Sequence, residues 1–331
     1  MSRSNSRIWA INKETSLALK AVAITLVLFG HLTPPFLPFH EYYLPVKRFI
    51  SQAGVNIFMF LSGYGIYVVY ITGDYSPRHF FVRRLLKIWP SYSISVGMYY
   101  IFQVFIFHQN VSPASLASHL VGMHVFFGFK NDILPVFHFI SAITLTYILS
   151  SLALFITNKD HRSLILGAFF FLQSLFFFLS KGAVFFADYF SAFLIGLCWA
   201  EYIKKEKFSS RFLLIGSGQL LFLLTDLHKG AIFLVSICSL PFLLHCSRSL
   251  LLNRPVLKKA VLWIGSSSYL IYLGHNYFFW KWPQLLEMFN SNTTVGTIII
   301  LATIIWMIIL FDIERRISEA RRALLLTLTS R

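Results

Sequence analysis

Apolar residues run along this chain in stretches of about 20, each closed by a short polar or basic segment, and a helix of that length spans the hydrocarbon core of a bilayer. Ten such stretches are expected to cross, near 16–36, 50–72, 88–108, 133–157, 163–180, 184–203, 211–226, 231–247, 260–280 and 294–313. An eleventh apolar run, near 115–128, is interrupted by His119, His124 and glycine and reads as a re-entrant or interfacial segment. The pattern predicts an all-α, polytopic integral membrane protein. The first run is too long for a signal-peptide core and lacks a small-residue cleavage site behind it, so it is expected to stay as the first span. No stretch reads as a soluble domain, an internal repeat or a long linker. Residues 1–331 are therefore expected to form a single transmembrane domain. Its N-terminal segment, 1–15, is expected to be cytoplasmic, and its tail, 314–331, alternates charge with leucine as an amphipathic helix on anionic lipid would.

Composition agrees with this reading and charge orients it. The chain is 56% hydrophobic and only 13% charged, against roughly 25% charged in soluble domains. Of its 29 Lys and Arg, 22 fall on one side of a ten-span arrangement and 6 on the other, with Lys20 inside a span. The more basic side faces the cytoplasm, which places both termini there. An eleventh crossing would move the basic groups after residue 157 to alternating wrong sides, so the asymmetry supports ten. The net charge of +16 is thus a topology signal, and no basic patch interleaved with stacking aromatics points to nucleic acid. Cys198, Cys238 and Cys246 show no metal-ligand spacing and read as small core residues.

Against this apolar background a few polar residues stand out. Lys20 and His31 lie within the first span, eleven residues apart, close to three helical turns, so both project from one face about 16 Å apart. A cation and an imidazole inside a membrane helix are unfavourable unless they face protein or water, which makes them candidate site residues. The alternative is a snorkelling lysine and a histidine bonded to a neighbouring helix. The second span carries Asn56 and Ser62 among Gly54, Gly63 and Gly65, a pattern that also suits tight helix packing. Behind it come Arg78, His79, Arg83, Arg84 and Lys87, with Pro90 opening the next span. Such a cluster at a membrane entry suits a phosphate-rich ligand, and equally suits anionic headgroups.

In their order these stretches resemble the membrane-bound acyltransferase-3 family. The spacing from Lys20 to His31 is that of the family's first-span Arg and His, with Lys in place of Arg. GVNIFMFLSGYGI is similar to its second-span pattern, with Asn56 where Asp is usual. RRLLKIWP resembles its basic motif, Arg84 matching the first Arg and Lys87 standing for the second. IGSSSYLIYLGHNYFF, 264–279, is similar to its penultimate-span pattern, so Ser268, Tyr269, Tyr272 and His275 match. HFISAITLTYIL, from His138, is a weaker match in which the usual Trp is His138 and the frequent Glu is absent.

The resemblance implies an enzyme of a bacterial inner membrane that transfers an acyl group, usually acetyl from acetyl-CoA, to hydroxyls of a cell-surface polysaccharide or its lipid-linked precursor. It implies His31 as catalytic residue and Lys20, Arg83, Arg84 and Lys87 as donor-binding. Asn56, Ser62, Ser268, Tyr269 and His275 are candidates for oxyanion or acceptor contacts. Acyl transfer suits these residue types, because an imidazole can take the hydroxyl proton and amides or hydroxyls can stabilise an oxyanion. The expected partners are acyl-CoA, the glycan acceptor and membrane lipid. No bound cofactor and no metal are expected, because no HExxH, paired CxxC, GxGxxG or Walker loop occurs. The competing function is a carrier or flippase for a saccharide or other solute, although the paired repeats that transporters often show are not found.

Overall fold

The computed structural model describes residues 10–31, 40–68, 77–125, 127, 137–156, 184–205, 238–251, 253–275, 281–289 and 292–329. Every regular element among them is helical. In chain order these are α1 (Lys13–His31), α2 (His40–Ile66), α3 (Pro77–Ile101), α4 (Pro113–Leu120), α5 (His138–Ile156), α6 (Val184–Lys205), α7 (Leu240–Cys246), α8 (Pro255–Gly274), α9 (Trp282–Phe289) and α10 (Asn292–Thr329). Short π-turns, Phe102–Ile106 and Ser247–Leu251, extend α3 and α7. Among the described residues, Lys13–His31, Phe49–Ile66 and Thr294–Ala320 are long and apolar enough to cross a membrane, and His138–Leu152 and Tyr189–Ile203 are shorter apolar helices. The spans expected near 163–180 and 211–226 lie outside the described residues. The chain divides into two compact units, Met1–Phe80 with Thr146–Ser268, and Phe81–Leu145 with Tyr269–Arg331.

In the first unit α2 packs against both α1 and α6. Helix α1 starts where Asn12 caps it, the Thr15 N–H donating to Asn12 Oδ1 at 2.8 Å. Its entry is tied down by neighbours: the Ile11 N–H donates to the Tyr64 hydroxyl at 2.9 Å, Arg248 donates to the Ala10 carbonyl and to Thr15 Oγ1, and Lys258 pairs with Glu14 at 2.8 Å. Between helices the contacts are made by glycine. A Cβ on Gly63 would overlap the Phe193 carbonyl of α6, and one on Gly196 would overlap the Phe60 carbonyl of α2. Gly54 likewise lies against Ala23 and Val27 of α1, and Gly265 against Leu17. Backbones this close gain dispersion contacts that apolar side chains facing lipid could not supply.

The second unit is centred on aromatic side chains of α3. Tyr99 donates to the Leu273 carbonyl at 2.5 Å and accepts from Trp306 Nε1 at 2.8 Å, while Tyr92 packs edge-on to Phe137 with ring centroids 5.2 Å apart. Ser91 donates to Glu314 of α10 at 2.5 Å. Helix α10 shows an exposed stripe of Ile300, Leu301, Ile304, Ile305, Ile308 and Ile309, the face a lipid-contacting helix presents. It runs without a break from the apolar stretch into the charged tail, where Asp312 pairs with Arg315 and Arg316.

After the π-turn of α3 the chain reverses. Ser112 caps α4 by accepting from the Ser115 N–H at 3.1 Å, with Pro113 in the first turn. Gly122 then takes φ +71°, where a side chain is strained, with Trp89 and Thr144 close by. Trp89 is twelve residues before the end of α3, about 18 Å back along its axis, so this segment returns alongside the helix it follows. Lys281, counted by sequence among the cations of the less basic side, is buried: its Nζ donates to Gln109 Oε1 at 3.0 Å and lies 4.8 Å from the Phe107 ring centroid. Burial pulls its pKa down to about 8. Of the cysteines Cys198 is buried as expected, but Cys238 is exposed.

Candidate active site

In the first unit, Lys20 and His31 are half-buried on the unbroken α1. The His31 Nε2 lies 3.0 Å from Ser51 Oγ. Helix α2 delivers Ser51 because it runs antiparallel to α1: Gly54 meets Ala23 and Val27 while Ser51, one turn earlier, meets His31 further along α1. Ser51 was not a candidate on sequence grounds. Its position one turn before Gly54 is the available signal, since a close-packed glycine holds its neighbours against the facing helix. A serine hydroxyl at Nε2 fixes the ring and can pass a proton to or from it.

Asn56 is fully buried, and neither end of its amide has a hydrogen-bond partner among the described residues. A buried polar group left in this state costs about 1–3 kcal/mol, so its retention calls for a reason. Ser62 on the same helix is half-buried and Ser268 on α8 is buried.

In the second unit, Arg83 and Lys87 are exposed and Arg84 is half-buried, all on the first half of α3. The side chains of Arg78 and His79 lie outside the described residues. Arg84, Ile88 and Tyr92 recur every fourth residue and share one face. The Tyr269 hydroxyl donates to the Ile88 carbonyl at 2.9 Å, so this family-matched tyrosine braces the helix that carries the basic cluster. His275 is buried, with its Nδ1 2.8 Å from the Tyr272 carbonyl.

The returning segment brings together His119, His124 and His138, which sequence named separately and did not place side by side. The rings of His119 and His124 stack with centroids 4.1 Å apart, and His138 lies 6.3 Å from His124. His119 Nδ1 is 2.9 Å from the Ser115 carbonyl and His124 Nδ1 is 3.2 Å from Ser141 Oγ. Stacked rings present faces rather than lone pairs to each other, and among the described residues no group of His, Cys, Asp or Glu is arranged to hold a metal. Burial above all, with His119 and His138 beside it, holds the His124 imidazole far below its ordinary pKa, so it is neutral at physiological pH. His124 Nε2, Thr144 Oγ1 and Tyr92 Oη are buried without a hydrogen-bond partner among the described residues.

Lys20, His31, Asn56, Ser62 and Ser268 thus belong to the first unit, and Arg83, Arg84, Lys87, Tyr269 and His275 to the second. A family model described as an acyltransferase domain, acyltransferase-3, matches residues 17–312. No curated protein and no solved structure matches the chain. The family match takes in most of the sequence and at least part of every apolar helix described above: the chain belongs to the acyltransferase-3 family and is a membrane protein with acyltransferase activity.

Proposed function

We propose that this protein is an O-acyltransferase that moves an acetyl group from acetyl-CoA to a hydroxyl of a surface polysaccharide or its lipid-linked precursor. It works in the bacterial inner membrane with both termini in the cytoplasm, an orientation supported by the 22 to 6 division of basic residues. The observation that carries the catalytic part is the His31 imidazole, half-buried on an apolar helix and 3.0 Å from the Ser51 hydroxyl. His31 takes the acceptor hydroxyl's proton as that oxygen attacks the thioester carbonyl carbon. The carbon–sulfur bond then breaks and the proton ends on the leaving sulfur. Ser51 holds the ring, and the amide of Asn56 is the group proposed to donate to the developing oxyanion, a use that accounts for its having no hydrogen-bond partner among the described residues. Ser62, Ser268 and His275 remain candidates for acceptor contacts.

Arg83, Arg84 and Lys87 are proposed to bind the phosphate-rich end of the donor, and Lys20 is kept as a donor-binding candidate. A charge-assisted hydrogen bond contributes about 1.5–3 kcal/mol. Replacing Arg84 and Lys87 together by alanine should therefore weaken acetyl-CoA binding by on the order of 10²-fold or more, measured by calorimetry on purified protein. Unchanged affinity in a folded double variant reduces the cluster to a topology signal and removes this part of the proposal.

A further inference from the structure

We infer that the place where the returning segment meets α3 and α5 binds the amide-bearing arm of the thioester donor, through Tyr92, His124 and Thr144. The inference rests on the donor reading given above and assigns residues which that reading leaves out.

Gly122 itself is buried by protein, since Trp89 and Thr144 lie 3.2 Å and 3.1 Å from where a Cβ on that glycine would stand. Residues at this place carry three buried polar atoms, Tyr92 Oη, His124 Nε2 and Thr144 Oγ1, each on a residue no more than 6% exposed and each without a partner among the described residues. They belong to one patch. Tyr92 packs against Trp89 with centroids 6.1 Å apart, Trp89 and Thr144 both meet Gly122, and His124 is joined to α5 through Ser141. Each unpaired buried group calls for an explanation, and three on residues of one patch suit a site that a polar ligand completes.

The position of the patch points to the donor. Tyr92 lies eight residues beyond Arg84 on the same face of α3, about 12 Å along the helix axis. An extended arm laid along α3 from phosphates on Arg84 and Lys87 reaches Tyr92. Hydroxyl and neutral imidazole groups can donate or accept, which suits secondary amides, and Trp89 and Phe137 supply apolar walls for the carbon chain between them.

The test uses the full chain in nanodiscs and a double variant, Tyr92→Phe with Thr144→Val, that keeps shape and removes only the two hydroxyls. Calorimetric titration compares acetyl-CoA with adenosine 3′,5′-bisphosphate, which has the phosphate-rich end without the arm. The expected result is acetyl-CoA affinity lowered roughly 10-fold or more, bisphosphate affinity within about two-fold, and a melting temperature that holds or rises because unpaired buried groups have gone. Unchanged acetyl-CoA affinity overturns the inference, whether or not acetyl transfer to glycan falls. An equal loss for both ligands, or a lowered melting temperature, also overturns it by showing the hydroxyls to be structural. A parent protein that binds no acetyl-CoA at all defeats the donor reading itself, an outcome separate from the variant comparison.

Discussion

Replacing His31 by alanine should lower glycan acetylation by at least the ~10²-fold that accompanies loss of a general base, while leaving insertion and donor affinity near the parent values. The imidazole is the proton-accepting side chain that α1 places 3.0 Å from Ser51, and it is half-buried, so truncation leaves no large cavity. Ser51→Ala is the companion: it keeps the base and removes its 3.0 Å partner, so a smaller fall of about five-fold is expected. Acetyl content of the surface glycan, measured in cells whose variant protein is present at parent level, reads both. A His31→Ala strain with full acetylation makes the residue a packing group and moves a base at His138 or His275 ahead.

The largest expected effect on the fold comes from Gly63→Val. The valine Cβ would overlap the Phe193 carbonyl, and the reciprocal contact of Gly196 with the Phe60 carbonyl leaves neither helix free to give way. Backbone atoms cannot rotate aside as a flexible side chain would, so α2 and α6 must separate. That forfeits packing at the helix contact and exceeds the 1–3 kcal/mol typical of overpacking by about one methylene group. Membrane helices have little hydrophobic drive to re-associate once parted. The variant should give a sharply reduced yield of monodisperse protein on detergent size-exclusion chromatography and a melting temperature well below the parent. A parent-like melting temperature would show that the crossing is not as tight as described.

Much of this was legible in the sequence because membrane helices announce themselves by length. Lys20 and His31 proved to share one unbroken helix, and the small residues at 54 and 63 mark close helix crossings. What sequence did not give was whatever depends on a chain reversal. Gly122 packing on Trp89 needs a segment to fold back about 18 Å along α3, and no periodicity encodes that. Tyr92 and Thr144 read as ordinary residues of apolar spans until their hydroxyls are seen without hydrogen-bond partners among the described residues. Lys281 was counted as an exterior cation because charge statistics do not register burial beside Gln109 and Phe107. Ser51 carries no sequence mark beyond its spacing from Gly54, because one more serine in a helix that already holds Ser62 is not distinctive.

On the proposed function, acetyl passes from acetyl-CoA on the cytoplasmic face to a glycan hydroxyl in one membrane protein. Radiolabelled acetyl-CoA supplied to inverted membrane vesicles, whose cytoplasmic face is outward, tests it most directly. Vesicles containing the parent protein should place label on glycan as an alkali-labile ester, and vesicles containing His31→Ala should show about the background level. Label incorporated equally with and without the protein, or only in right-side-out vesicles, would contradict the account.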